Sequence, residues 1–276
     1  MSPRPGLRTA ALATTALVAF AANSVLARLA LGTGAIDPAS YSTIRLAAGS
    51  LMLLALAGGR IGGSWPSAAL LFLYAAPFSF AYVRLTTGTG ALILFGAVQV
   101  TMIAAGLGAG ERPHAREWTG LAIALAGLVW LVFPGLGAPP FVAAALMAVA
   151  GIAWGVYSIR GRSGGAPLLA TAGNFLRATP LALVLSAVTL PTTHLTTHGA
   201  LLAVASGAVA SGLGYAVWYT ALPRLTATRA ATIQLAVPVL AAFAGVALLG
   251  EPVSVRLVTA AVAILGGVAV VVAAKR

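Results

Sequence analysis

The sequence predicts an all-α integral membrane protein of ten spanning helices, built as two inverted five-helix repeats with both termini in the cytoplasm. Three observations predict it. Of the 276 residues, 60% are hydrophobic and 7% charged, against about 25% charged in a soluble domain. The apolar residues fall into runs of membrane length. Basic residues gather in alternate connections between those runs, as cytoplasmic loops do.

The elements follow from turn-like and charged punctuation. Spans are expected at roughly 9–31, 38–57, 66–84, 88–108, 117–133, 140–159, 167–189, 199–221, 230–249 and 254–274. The first run is too long for the apolar core of a secretory signal, so it is read as a span. Gly58-Gly59-Arg60 closes the second run, and Glu111-Arg112-Pro113 the fourth. Pro134 to Pro140 closes the fifth, and Gly161 to Gly165 the sixth. Pro191, Pro223 and Glu251-Pro252 mark the later breaks. Connections are short, and no extramembrane domain fits between them.

With the N-terminus inside, eleven basic residues face the cytoplasm: Arg4, Arg8, Arg60, Arg112, Arg116, Arg160, Arg162, Arg224, Arg229, Lys275 and Arg276. Only Arg84 and Arg256 fall outside. This topology accounts for the net charge of +12. The basic residues form no patch with interleaved aromatics, which argues against nucleic acid. With no cysteine there is no disulfide framework.

The halves repeat. A shift of 140 aligns Gly110-Glu111 with Gly250-Glu251, Gly127 with Gly267, and Arg84-Leu85-Thr86 with Arg224-Leu225-Thr226. A shift of 132 aligns Arg28 with Arg160 and Arg45 with Arg177. Five spans per half is an odd number, so the second half enters from the opposite face. The expected units are 1–138 and 139–276, forming one membrane domain.

Gly-Glu followed by Pro ends the fourth span (Gly110, Glu111, Pro113) and the ninth (Gly250, Glu251, Pro252). A last helix containing Leu265-Gly266-Gly267 follows, with Leu235 to Val239 in the ninth and Arg45 in the second. In these features the whole chain resembles the drug/metabolite transporter superfamily, specifically its EamA-type ten-helix members, and most nearly the YddG-type aromatic amino acid exporters. The resemblance implies a multi-pass exporter of the bacterial inner membrane that alternates between inward-open and outward-open states. One departure is Val98, which stands where the second half has Pro238.

The acids Asp37, Glu111, Glu117 and Glu251 all sit at helix ends, and the three histidines, His114, His194 and His198, in connections. A proton pump usually keeps such a group within the membrane, so a carboxylate relay is not expected. Nothing suggests a metal, a cofactor or a catalytic set. Arg45 and Arg177 lie deep in their spans, either as anion hooks or as structural partners of helix ends or of Glu111 and Glu251. Their repeat-equivalent placement favours the structural role. Arg28 is expected to snorkel.

Aromatic residues at helical spacing are the expected cavity lining: Phe78 and Tyr82; Trp154 and Tyr157; Tyr215, Trp218 and Tyr219. Packing or lipid contact is the competing reading. Gln99 and Thr101 are candidates for a substrate's polar groups. Pro77, Pro238 and Gly212 are candidate hinges. Trp65, Trp118 and Trp130 are expected as interfacial anchors.

The expected function is export of small, largely apolar metabolites, with aromatic amino acids as the specific choice the resemblance gives. The alternatives are a carrier of the same superfamily for drugs or other metabolites, and a non-transporting membrane enzyme or scaffold. Phosphorylated substrates are disfavoured, since they need several convergent cations. The expected partners are a small-molecule substrate and the lipid bilayer. A monomer is the working expectation.

Overall fold

The computed structural model describes residues 5–108, 114–133, 135, 138–161, 166–221, 234 and 236–274. Ten helices are seen among the described residues. They are α1 (Pro5–Gly32), α2 (Pro38–Leu56), α3 (Trp65–Tyr82), α4 (Thr87–Gly108) and α5 (Ala115–Val132). The second half holds α6 (Phe141–Gly161), α7 (Pro167–Val188), α8 (Thr197–Ala221), α9 (Ala236–Leu249) and α10 (Val255–Ala274). α1, α2, α4, α6, α7 and α8 hold stretches long and apolar enough to cross a membrane.

Local chemistry sets the helix starts. Asp37 caps α2, accepting from the amides of Ala39 and Ser40 at 3.1 and 2.9 Å, with Pro38 preformed at the first position. Ser64 caps α3 ahead of Pro66. Glu117 reaches back to the amide of His114 at the start of α5 (2.6 Å). Thr196 accepts from the amide of Gly199 at the start of α8 (3.0 Å).

The outer surface is apolar. Leu51, Phe141, Val188, Phe243, Leu248 and Val255 are all at least 70% exposed. Large apolar side chains exposed on so many helices suit lipid as the surrounding solvent. Trp65, Trp118 and Trp130 are each about half exposed, at 58, 50 and 49%, while Trp154 and Trp218 are buried.

The two halves pack in matched pairs. α2 lies on α7, α4 on α9 and α5 on α10; α3 packs on α6 and α7, as α8 packs on α1 and α2. The α5–α10 contact carries the match to single residues. A Cβ at Gly127 would press on Ile264, and one at Gly267 would press on Ala124. The absence of side chains at these glycines lets the backbones approach closely.

α8 differs from its counterpart α3. Residues Ala205–Leu213 form a π-helical run inside it. In an α-helix each residue turns 100°, so residues five apart point 140° away from each other. The wider π turn pairs i with i+5 and brings Ser206 and Ser211 to one side.

Candidate functional site

The centre of the bundle is built around Arg45 on α2. Gly207 of α8 meets α2 there so closely that a Cβ would overlap the Arg45 carbonyl. One turn on, Ser211 accepts from Arg45 Nε at 3.3 Å. Nη2 donates to the Tyr74 hydroxyl of α3 at 2.8 Å. The guanidinium carbon lies 5.0 Å from the centroid of the Tyr74 ring and 4.8 Å from that of Phe78. Ring faces are negative and attract a cation placed over them. Arg45 is 1% exposed, and its Nη1 has no partner.

No carboxylate reaches this guanidinium among the described residues. Asp37 holds Ala39, Ser40 and His194. Glu117 holds the His114 amide. Glu251 holds Thr87 and Arg28.

Aromatic rings from four helices close over the centre. Trp154 of α6 lies 4.9 Å from Tyr215 of α8 and 5.0 Å from Tyr74, centroid to centroid. Phe20 of α1 meets Tyr215 edge-on at 5.6 Å. They enclose a cavity of about 20 Å³, room for about one water molecule. Its polar wall is Asn23, Ser24, Tyr74, Ser211 and Tyr215. Asn23 is itself engaged, donating to the Tyr74 hydroxyl at 3.3 Å and accepting from Ser206 at 2.5 Å.

At one end of the bundle a vestibule of about 520 Å³ opens between the starts of α3 and α7 and the end of α6. Tyr157, Arg160, Ser67 and Asn174 line it. Tyr157 stacks on Trp154 at 5.5 Å with the planes 27° apart, so these two rings separate vestibule from cavity. Arg160 donates to the Ser67 hydroxyl at 3.2 Å.

The other end is sealed. Ile36 and Leu195 form an antiparallel bridge. The Asp37 amide donates to the His194 carbonyl at 2.8 Å, and the His194 amide to the Asp37 carboxylate at 3.2 Å. Nearby, the Glu251 carboxylate accepts from the Thr87 amide at the start of α4 (2.9 and 2.8 Å) and lies 3.3 Å from Arg28 Nε. Arg28 also donates to the carbonyls of Tyr82 and Val83. It therefore does not snorkel: the Glu251 carboxylate and two carbonyls hold it inward.

The expected site residues divide. Phe78, Trp154 and Tyr215 line the cavity. Tyr157 lines the vestibule. Tyr82 and Trp218 stand in a second layer, against Phe78 at 4.7 Å and Phe20 at 5.9 Å. Gln99 lines a separate small cavity among α4, α5 and α10. Thr101 bonds back to the Ala97 carbonyl at 2.8 Å and abuts Gly155. Arg177 donates to the carbonyls of Gly62 (2.6 Å) and Gly173 (3.0 Å), a structural tie. Pro77 lies inside α3, Pro238 is buried in α9, and Gly212 packs on Met52 within the π run. Gly110, Glu111, Pro113, Arg224 and Leu235 lie outside the described residues.

Phe20 and Tyr74 are among the site residues that sequence reasoning passed over. Tyr74 had a signal: it continues the Phe78–Tyr82 stripe one turn back. Phe20 is a lone aromatic in an apolar run and carried none. No group of three metal-binding side chains occurs among the described residues.

Residues 141–273 match the model of the EamA-like transporter family. An uncharacterized protein of Pseudomonas aeruginosa, PA1977, is 50% identical over 98% of this chain and 96% of its own length. The second half of the chain thus carries an EamA-like transporter family domain. A crystal structure of another protein, 24% identical, superposes with a TM-score of 0.66 over 94% of this chain and 98% of that one. At that identity the likeness speaks for the fold alone. A domain of this family is of membrane-transporter type, within the drug/metabolite transporter superfamily, which agrees with the apolar spans of this chain.

Proposed function

We propose that this protein, whose second half carries the EamA-like domain, is a ten-span carrier that exports small, largely apolar metabolites bearing a flat ring, aromatic amino acids among them, across a bacterial inner membrane. The observation that carries the reading is the central aromatic cavity, walled by the Arg45 partners Tyr74, Phe78 and Ser211, with a vestibule at one end and a sealed connection at the other. A carrier needs a midway site reachable from one side at a time. The matched helix pairs support two inverted five-helix repeats, 1–138 and 139–276, as the moving parts. The arginine bias supports a topology with both termini and the vestibule in the cytoplasm, in which this state is closed to the outside and poised to load from within.

Uptake of labelled phenylalanine and tryptophan by the purified protein in liposomes tests this, with and without a proton gradient. Saturable flux without a gradient is expected, since no acid among the described residues lines the cavity. Absence of flux from protein that retains its helical circular dichroism overturns the substrate assignment. Trp154→Ala removes the ring that touches Phe20, Tyr74, Tyr157 and Tyr215. It should slow flux at least tenfold while the protein still inserts; an unchanged rate would place the substrate elsewhere.

A further inference from the structure

We propose that the cavity selects organic monoanions: its ligand brings a carboxylate to Arg45 and a flat apolar body to the surrounding rings. The inference rests on the carrier reading and narrows its substrate class to aromatic acids, with the zwitterionic amino acids ranked below them.

The argument begins with charge. Arg45 is permanently cationic and fully enclosed, and no described acid neutralises it. A buried ion without a counterion is strongly disfavoured. Tyr74, Ser211 and the two ring faces soften this penalty but carry no net charge. Arg177, the residue at the same place in the other half, is half-buried and tied to two carbonyls. The two arginines thus share a repeat position but not a role.

Next comes donor geometry. A guanidinium has five N–H groups. One on Nε and one on Nη2 are used, and both on Nη1 are free. Both N–H groups of Nη1 and one of Nη2 therefore remain as donors for a carboxylate. Tyr74, Phe78 and Ser211, the groups touching the guanidinium, are themselves part of the cavity wall. A ligand that enlarges the cavity thus comes up against the charge.

The last step is what the wall lacks. An α-ammonium group would need an anion or several free acceptors. Among the described residues the wall offers no anion, only the Asn23 amide and the hydroxyls of Ser24, Tyr74, Ser211 and Tyr215; of these, the Asn23 carbonyl oxygen already accepts from Ser206 and the Tyr74 hydroxyl oxygen from Asn23 and Arg45. A monoanion neutralises the site. A zwitterion leaves it at +1 with an added buried ammonium, and an amine raises it to +2.

Three compounds with the same ring and chain separate these cases: 3-phenylpropanoate, phenylalanine and 2-phenylethylamine. Their affinities for the purified protein are measured by titration calorimetry, and their uptake into liposomes is corrected with protein-free vesicles. The anion should bind at least tenfold tighter than the zwitterion, and the amine weakest. Arg45→Gln should abolish the ranking, and Arg45→Lys should keep its order. If phenylalanine binds as well as 3-phenylpropanoate or better, the anion preference is wrong and the carrier reading stands. If none of the three binds or moves, both readings fall. Should the Arg45 variants not fold, the wild-type ranking alone decides.

Discussion

The two ends of the bundle are related by the repeat but are held differently. At the sealed end, backbone bonds join the α1–α2 and α7–α8 connections, and the charged pair Arg28–Glu251 stands beside them. At the vestibule end Arg160, the repeat partner of Arg28, holds the neutral Ser67 hydroxyl among the described residues. One end therefore rests on an ion pair with a backbone seam; the other rests on hydrogen bonds to neutral acceptors around open space, the Gly62 amide to the Leu169 carbonyl (2.8 Å) and Arg177 to the Gly62 carbonyl among them. The difference shows where strength lies in a near-symmetric molecule: the hold at each end is set by the partner an arginine finds.

The largest break in this contrast is Glu251→Gln. It removes the counterion of Arg28 and the charged acceptor at the start of α4. The pair is partly exposed, with side chains 25% and 10% accessible. The expected loss is about 2 kcal/mol, between a surface pair and a fully buried one. The chain has no cysteine, so a cysteine placed at Ala35 is a sole label. In the Glu251→Gln background its labelling rate should rise about thirtyfold, and an unchanged rate would show that the pair does not hold the seal. Asp37→Ala removes the α2 cap and one tether to His194; the expected loss is about 1 kcal/mol, read as a smaller rise at the same label. Ser67→Ala should do least. It removes the hydroxyl that accepts from Arg160 and Ser64 at the end already open, worth about 0.6 kcal/mol per bond, and should leave the Ala35 label unmoved.

Much of the fold was legible because helix boundaries in lipid are chemical: Asp37-Pro38, Ser64-Trp65-Pro66 and Thr196 punctuate apolar runs. The site was legible only in part. Arg45 and Arg177 read alike, since each is a lone arginine at the same depth of a span. What separates them lies across the interface, a loop carbonyl at Gly62 for one and hydroxyls of Tyr74 and Ser211 for the other. Gln99 and Thr101 could not have shared a cavity, because two residues on a helix turn 200°. The π run that brings Ser206 and Ser211 together has no residue signature, being a register choice made by packing against Arg45.

The tryptophans sort into two optical populations. Trp65, Trp118 and Trp130 stand half-exposed at the surface, while Trp154 and Trp218 are enclosed beside Phe20. A quencher dissolved in lipid or water reaches the first three and spares the last two. The emission that survives such quenching is therefore an unlabelled reporter from the centre of the molecule, with Trp154 set where vestibule and cavity meet.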